Sequence, residues 1–279
     1  MKIIFKEIYN DKLAFFSFVL LTLIILTSYI WGAMFTTDDI ERMYLLQRNQ
    51  PPSSQFPLGT DIVGRNMVTQ LVVGARNSFT IAFIVTFATA AIGITVGLFA
   101  GFYGGNFDNA VMRTIDFLII VPTFMVTIVL ITLLPSSPLM LGLILTIFGW
   151  LGTARGIRMM TLRQSNMDYV KASKTLGTPN IKIIFNGILP NITSFVVVSL
   201  TLSIANNIGV ETGLTFLGFG MPFTTPSLGT LIAQAADPST MRNRPWQWIP
   251  AAMLILVVTL CINYIGQAIN RGVDVRRRS

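Results

Sequence analysis

Long apolar stretches alternate with shorter polar segments along most of this 279-residue chain. About 20 consecutive apolar residues are enough to cross the hydrocarbon core of a bilayer as a helix. The first stretch is too long for the core of a signal peptide, so we expect it to remain as a span. The pattern predicts an all-α membrane protein with six transmembrane helices, at residues 13–35, 78–102, 115–134, 138–154, 188–210 and 248–269.

Composition agrees with a membrane protein, since 52% of the residues are hydrophobic and 11% are charged, against about 25% charged in soluble domains. The net charge of +8 comes from lysines and arginines dispersed around the apolar stretches. Nucleic-acid binding needs a clustered basic patch, so we do not expect it. Histidine is absent and Cys261 is the single cysteine. These counts exclude a disulfide framework, a zinc site of Cys/His type and a His-based catalytic triad.

The distribution of the 20 lysines and arginines predicts the orientation in the membrane. Positive charge is retained on the cytoplasmic side, and a cytoplasmic N-terminus places fourteen of the basic residues there. The even number of spans returns the C-terminus to the cytoplasm, where anionic lipid headgroups can hold the arginine run at 276–278. A charge run that only stops transfer is the favoured interpretation of this tail. The basic residues left outside are Arg42, Arg48, Arg65, Arg76, Arg242 and Arg244.

A polar stretch between the fourth and fifth spans has the pattern of a short cytoplasmic helix. Asp168 suits the N-cap, and Gly177 suits the C-terminal turn. Tyr169, Ala172 and Leu176 share one face at helical spacing. We therefore predict a compact helix that a partner protein can bind.

Two extracytoplasmic segments, 36–77 and 211–247, are long enough to adopt a defined shape. The second mixes glycine and proline with apolar residues, which indicates backbone that dips into the membrane or lies on its surface. We predict that it borders the outer mouth of a pathway and faces an extracytoplasmic protein; a plain loop with interfacial aromatics is the alternative. The residues concerned are Leu214, Phe216, Leu217, Gly218, Phe219 and Gly220.

Gly93, Gly97 and Gly101 recur every four residues in the second span. Small residues at this spacing form a smooth ridge on which another helix packs closely. We therefore expect this ridge to be a helix-packing surface.

Ionisable residues are scarce within the predicted spans. Arg113 and Asp116 at the inner start of the third span are spaced to pair with each other, and Glu211 ends the fifth span. A proton- or ion-coupled carrier usually has ionisable groups at depth. Their scarcity argues against a secondary transporter.

Nucleotide-binding and hydrolytic motifs are missing as well. The sequence contains no Gly-x-x-x-x-Gly-Lys-Ser/Thr phosphate loop, no H-E-x-x-H and no G-x-S-x-G. We expect no enzyme activity and no cofactor in this chain. Any ATP-driven work must come from a partner protein.

Four motif pairs or segments together carry a family resemblance. They are Pro-Leu-Gly-Thr-Asp-Ile-Val-Gly-Arg-Asn at 57–66 before Gly-Ala-Arg at 74–76, the glycine-rich segment at 93–103, Lys-Ala-Ser-Lys-Thr-Leu-Gly at 171–177 before Ile-Leu-Pro at 188–190, and the segment 214–220 before Pro-Ser-Leu-Gly at 226–229. With these motifs the chain resembles the membrane subunits of binding-protein-dependent ABC importers. Within them it is most similar to the C-type oligopeptide permeases of the peptide and nickel group.

The resemblance implies a type I ABC importer permease fold in a bacterial plasma membrane. It implies an N-terminal helix and outer loop over 1–75 and a permease domain of five helices over 76–279. The implied partners are a related second permease, two ABC ATPase subunits that bind ATP and Mg²⁺, and an extracytoplasmic peptide-binding protein. The implied coupling helix, which docks on an ATPase subunit, comprises Asp168, Tyr169, Lys171, Ala172, Ser173, Leu176 and Gly177.

The chain departs from the family pattern in this helix, with Lys171 in place of Glu and Ser173 in place of Ala. If Asp168 is the N-cap, Lys171 lies at the third helical position, close to the positive end of the helix dipole. Lysine there is unfavourable by about 0.3–1 kcal/mol. We expect the ATPase partner to supply part of the stability of the helix.

The leading hypothesis is an oligopeptide importer subunit. A nickel, metal-chelate or dipeptide importer is the alternative within the same family, and the lack of histidine does not decide between them. A stand-alone channel or carrier and a purely structural membrane scaffold are the alternatives from other classes. Transport by the purified chain alone would distinguish the channel or carrier from an importer subunit.

Overall fold

The computed structural model describes residues 9, 11–134 and 137–278, and its regular structure in those residues is helical. The predicted cytoplasmic lysines at positions 2 and 6 lie outside the described residues. The side chains of the arginine run at 276–278 also lie outside them.

Helix α1 spans Lys12–Met34 and agrees closely with the first predicted span. Asp11 caps it, because its Oδ1 accepts hydrogen bonds from the backbone nitrogens of Leu13 and Ala14. A short helix, α2, follows at Thr37–Glu41.

Helix α3 spans Met67–Tyr103 and begins eleven residues before the predicted start of the second span at Ser78. This extra length includes polar residues, and other segments of the chain contact them. Gln70, for example, is buried and donates from Nε2 to the carbonyl of Ile40 at 2.9 Å. The predicted span was therefore too short because tertiary contacts bury polar residues that the hydropathy pattern excludes.

The third predicted span is a pair of helices, α4 at Gly105–Ile120 and α5 at Thr123–Leu133, bent by 75°. The bend falls at Val121 and Pro122. Proline lacks a backbone N–H and disfavours helical geometry in the residue before it, so the helix ends there. In the described residues five helices are long and apolar enough to cross a membrane, or six if this bent pair counts as one span.

Helix α6 spans Pro138–Ser165 and continues eleven residues beyond the predicted end at Ala154. It packs along the glycine ridge of α3. A Cβ added to Gly93 would lie 2.7 Å from Thr153, and one added to Gly97 would lie 2.6 Å from the carbonyl oxygen of Ala154. Gly101 has a similarly close neighbour in α6. The predicted packing role of the ridge is thus confirmed, with α6 as the packing partner.

The remaining helices complete the bundle. Helix α7 spans Asp168–Thr175, and α8 runs from Asn180 to Phe216 with a π-helical turn at Ile183–Ile188. Two short helices follow, α9 at Leu228–Ala233 and α10 at Pro238–Asn243. The last helix, α11, spans Ile249–Arg278.

The long helix α3 has a different environment at each end. At its C-terminal end lie α7 and the start of α8, which we call the α7 end. At its N-terminal end the loop between α2 and α3 meets the segment between α8 and α11, which we call the loop end.

Candidate functional site

Helix α7 ends in a glycine turn. Gly177 has a φ of 75°, and its N–H bonds the carbonyl of Lys174 at 3.0 Å. The N–H of Thr178 bonds the carbonyl of Ser173 at 3.0 Å. This pair of bonds is a Schellman motif, in which glycine adopts the left-handed conformation at little cost. The predicted role of Gly177 as the C-terminal turn is confirmed.

The predicted N-cap of α7 is wrong. Met167 occupies the N-cap position, and Asp168 is the first helical residue, without a side-chain capping bond. Lys171 is therefore one position further from the helix start than expected. Its Nζ lies 3.5 Å from Oδ1 of Asp168, so the two exposed charges compensate each other in part. The unfavourable dipole effect inferred from the sequence is smaller for this reason.

One apolar side chain anchors α7 to the spans. Val170 is fully buried, in a cluster that includes Leu98 and Phe102 of α3, Ile157 of α6 and Ile184 of α8. The sequence reasoning missed Val170 because it followed the more extended apolar face of the helix. The signal available in the sequence was Val170 itself, an apolar side chain next to that face that could pack against the spans.

Polar contacts add to this anchor. The hydroxyl of Tyr169 donates to Oε1 of Gln164 at 2.9 Å and accepts from Nδ2 of Asn191 at 3.3 Å. The ammonium of Lys174 lies 4.5 Å from the ring centroid of Phe102. Tyr169 is therefore partly engaged within the chain, although we predicted it as part of a free docking face.

The other side of α7 is open. Leu176 is 84% exposed, and Ala172 is also exposed. Ser173 donates only to the carbonyl of Tyr169, four residues earlier. The helix is thus attached by one side and presents an apolar residue on another.

Ion pairs connect α4 to α6 just before α7. Nε of Arg158 lies 2.9 Å from Oδ1 of Asp108, whose side chain is almost fully buried. Arg155 pairs with Asp116 one turn away. The predicted pairing of Asp116 with Arg113 is wrong, because the neighbouring helix supplies a closer cation.

A buried carboxylate lies at the loop end. Glu211 of α8 is 0% exposed and accepts hydrogen bonds from two hydroxyls. Oγ of Ser78 donates to its Oε2 at 2.9 Å, and Oγ1 of Thr215 donates to its Oε1 at 3.0 Å. The same hydroxyls accept from the backbone nitrogens of Leu228 and Met221, at 3.0 and 3.2 Å. The sequence placed Glu211 at the end of a span but gave no sign of this network.

The predicted outer segment begins as the last turn of α8 and leaves it at a second glycine turn. Gly218 has a φ of 85°, and the N–H of Phe219 bonds the carbonyl of Leu214 at 2.8 Å. Leu214 is buried, whereas Phe216 and Leu217 are exposed. Gly220 lies against Thr215, whose Oγ1 would be 1.9 Å from an added Cβ. The segment therefore folds back onto α8 and still presents two large apolar side chains.

The two segments predicted to lie outside form one unit. Arg65 is buried, with Nε 2.7 Å from Oδ2 of Asp61 and Nη1 3.0 Å from the carbonyl of Phe223. Nε2 of Gln247 donates to the carbonyl of Thr60 at 2.9 Å. A cleft of about 520 Å³ lies beside Arg65, and it is lined by Met43, Ile62, Val63, Arg65, Phe223, Thr224 and residues of α9 and α10.

Asp237 beside this cleft is the N-cap of α10, and its pKa is strongly lowered. Its Oδ2 accepts from the Ser239 hydroxyl at 2.6 Å and from both the hydroxyl and the backbone nitrogen of Thr240. These donors favour the charged carboxylate and lower the pKa of Asp237 to about 2.

Within the described residues no group of three or more His, Cys, Asp or Glu side chains is arranged to hold a metal ion.

Comparison with known proteins identifies the family. Residues 93–275 match the family of binding-protein-dependent transport system inner membrane components. The chain belongs to this family. As an inner membrane component it is a multi-pass protein of the bacterial plasma membrane, in agreement with its helices.

Several curated members of the inner membrane component family are similar over nearly the whole chain. The oligopeptide transport system permease protein OppC of Lactococcus lactis subsp. lactis is 43% identical over 98% of this chain and 93% of its own length. OppC of Bacillus subtilis is 32% identical over 96% of this chain and 87% of its own length. The dipeptide transport system permease protein DppC of Bacillus subtilis is 31% identical, over 98% and 85%.

A solved structure supports the fold of this family member. The inward-facing MetNI methionine ABC transporter matches with a TM-score of 0.60 over 74% of this chain and 97% of that chain, at 18% identity. The chain thus has a permease fold of the type found in that transporter. At this low identity the likeness concerns the fold alone.

Proposed function

We propose that this chain is the permease subunit of an ATP-driven importer of oligopeptides. The observation that carries the proposal is the 43% identity, over 98% of the chain, to an oligopeptide permease. A dipeptide importer is the second candidate, since a dipeptide permease is 31% identical over the same share of the chain. A nickel or metal-chelate importer remains the alternative that follows from the family resemblance alone.

In this proposal the chain forms half of the pathway and a related second permease forms the other half. Two ABC ATPase subunits bind ATP and Mg²⁺ on the cytoplasmic side, and an extracytoplasmic binding protein delivers the peptide. Both termini lie in the cytoplasm. The support for this orientation is the positive charge that it retains there, fourteen of the 20 lysines and arginines.

Helix α7 acts as the coupling helix. Val170 attaches it to three spanning helices, so a force on α7 reaches α3, α6 and α8 together. The exposed Leu176 and Ala172 are then free to dock in an ATPase subunit. ATP binding shifts the permease between two states only if α7 makes different contacts in each. The remaining residues of the proposed coupling element are Asp168, Tyr169, Lys171, Ser173 and Gly177.

The loop end faces the binding protein. Phe216 and Leu217 are exposed at the end of α8, on a segment that folds back to border the pathway. Leu214, Gly218, Phe219 and Gly220 fix the shape of that segment through burial and the glycine turn. Large apolar side chains at such an edge suit contact with a protein surface.

Co-purification from mild detergent tests the proposal. We expect the wild-type chain to retain an ABC ATPase and a second permease. Leu176→Asp places a charge on the exposed face of α7 without disturbing Val170, so it should lose most of the ATPase and keep the second permease. Met241→Asp is the matched control, because Met241 is exposed in α10 at the other end of the molecule. A wild-type preparation without any ATPase would contradict the proposed function.

Substrate class is tested on the purified complex with its binding protein. We expect penta-alanine to stimulate ATP hydrolysis more than dialanine or a nickel–histidine chelate. A larger response to dialanine would favour the dipeptide importer. Stimulation by the chelate alone would favour the metal importer.

A further inference from the structure

Glu211 connects two places on the segment from Met221 to Leu228. Each connection runs through one hydroxyl group. The hydroxyl accepts a hydrogen bond from a backbone N–H of the segment and donates a hydrogen bond to the carboxylate of Glu211. Ser78 of α3 binds the backbone nitrogen of Leu228, and Thr215 of α8 binds the backbone nitrogen of Met221. A single side chain thereby holds both ends of an eight-residue segment, whose middle is held separately by hydrogen bonds to its Phe223 and Pro226 carbonyls.

The surroundings make this connection hard to replace. The carboxylate of Glu211 and the hydroxyl of Ser78 are fully buried, so water cannot take over their hydrogen bonds. Gly229 and Gly220 lie directly against Thr215, where an added Cβ would lie 2.6 Å from its Cβ and 1.9 Å from its Oγ1, respectively. The backbone thus approaches the hydroxyl as closely as glycine permits, and the position of the hydroxyl sets the path of the segment.

The segment between these ends contributes to the cleft at the loop end. Its carbonyl groups at Phe223 and Pro226 accept from Arg65 and from Nδ2 of Asn77, the latter at 2.8 Å. Phe223 and Thr224 line the cleft. A change in the position of the segment would therefore change the outer surface.

We infer that Glu211 is a positioning residue for transport: through Ser78 and Thr215 it fixes the segment 221–228 in the shape required for peptide to pass the outer mouth. This role rests on the proposed function for its consequence in transport. Its structural basis is independent of the substrate.

The direction of the hydrogen bonds makes the inference specific. Both hydroxyls donate to Glu211, so the site needs two acceptor oxygens on one side chain. Glutamine has the same shape but offers one acceptor and one donor group. Glu211→Gln should therefore leave one hydroxyl without an acceptor and loosen one end of the segment. A residue that merely filled space would tolerate this substitution.

The first test is hydrogen exchange on the full chain in lipid nanodiscs. We expect exchange of the backbone amides in 217–230 to become about tenfold faster in Glu211→Gln, Ser78→Ala and Thr215→Val, because each leaves a buried donor unpaired. Exchange in α7 should stay at the wild-type rate. Wild-type exchange over 217–230 in all three variants would overturn the inference.

Two controls remove a hydroxyl from the same helices outside the network. Oγ1 of Thr95 in α3 and Oγ1 of Thr201 in α8 bond only the carbonyl four residues earlier in their own helix. Thr95→Val and Thr201→Val should leave exchange over 217–230 unchanged. Faster exchange in these controls equal to that of the network variants would also overturn the inference, since any lost hydroxyl would then suffice.

The second test uses the assembled complex. We expect Glu211→Gln to assemble with its partners and to keep basal ATP hydrolysis. Stimulation of ATP hydrolysis by binding protein and penta-alanine should fall about tenfold, because an unpaired buried donor lowers the population of the wild-type shape of the segment by about that factor. Wild-type stimulation alongside faster exchange would overturn the transport role. If no ATPase co-purifies with the wild-type chain, the proposed function fails, and the exchange experiment still decides whether Glu211 fixes the segment.

Discussion

The two ends of α3 differ in how their functional elements are held. At the α7 end, the buried side chain of Val170 and a few exposed polar contacts attach a short helix. At the loop end, Glu211, Arg65 and Gln247 join several segments through buried or partly buried hydrogen bonds. A buried polar network fixes geometry strongly because each broken bond leaves an unpaired group. The difference suits the proposed roles of the two ends: a docking helix that a partner moves, and an outer surface that keeps its shape.

At both ends, nevertheless, a helix terminates in the same kind of glycine turn. Gly177 and Gly218 both adopt positive φ in a Schellman motif. The two ends therefore differ in the path of the chain beyond the turn. After Gly218 the chain folds back onto Thr215, whereas after Gly177, where an added Cβ would meet nothing within 4 Å, the chain enters α8 at Asn180.

The largest expected effect comes from breaking the packing that connects the two ends. In Gly97→Leu the new side chain would collide with α6, since even a Cβ would lie 2.6 Å from the carbonyl oxygen of Ala154. We expect a loss of about 3 kcal/mol or more, and little folded protein in detergent. Gly152→Leu is the control, because an added Cβ there meets nothing within 4 Å. Thermal unfolding monitored by circular dichroism measures both; equal stability of the two variants would contradict the assigned packing.

Val170→Ala should affect the α7 end alone. Removing two buried methyl groups costs about 2 kcal/mol, and the loss is local because the side chain is the main apolar anchor of α7. Hydrogen exchange should accelerate across 168–176 and stay unchanged across 217–230. Acceleration at both ends would show that the two regions unfold as one unit.

Lys171→Glu should have a smaller effect. The substitution replaces the contact with Asp168 by a like-charge pair, worth about 0.5 kcal/mol at these exposed positions. We expect normal membrane insertion. Stimulated ATP hydrolysis should change less than about tenfold, because a tenfold change corresponds to about 1.4 kcal/mol. Loss of assembly with the ATPase would show that Lys171 itself binds the partner.

The smallest expected effect is the acid response of α10. The pKa of Asp237 is lowered to about 2, so the stability that its capping bonds supply is present above the unfolded pKa and disappears as the pH falls through about 2. Carbon-13 NMR of labelled aspartate should show one carboxyl that titrates near that value. Its resonance should be missing in Asp237→Asn, and titration of Asp237 near pH 4 would contradict the capping geometry.

The fold class was predictable from the sequence because membrane spans have a strong hydropathy signal. Lys12–Met34 matched its predicted span almost to the residue. The limits of α3 and α6 were not predictable, since the polar residues at their ends are covered or paired by other segments. The third predicted span was treated as unbroken although Pro122 lies within it, and the sequence alone does not give the 75° bend angle.

The candidate site was predictable in position and less so in its contacts. The polar stretch and Gly177 marked the short helix correctly. Hydrophobic spacing did not identify Val170, because neighbouring residues lie about 100° apart around a helix and Val170 falls beside the predicted apolar face, not on it. The partners of Glu211 lie 133 residues away in Ser78 and four residues away in Thr215, and only the first required the fold to be known.

Site-specific photo-crosslinking in intact cells tests the central claim, that the two ends serve different partners on opposite sides of the membrane. A photoreactive amino acid replaces Leu176 in one variant and Leu217 in another, both exposed positions. We expect position 176 to capture an ABC ATPase and position 217 to capture an extracytoplasmic binding protein. Capture of the same partner by both positions, or of the binding protein by position 176, would contradict the claim.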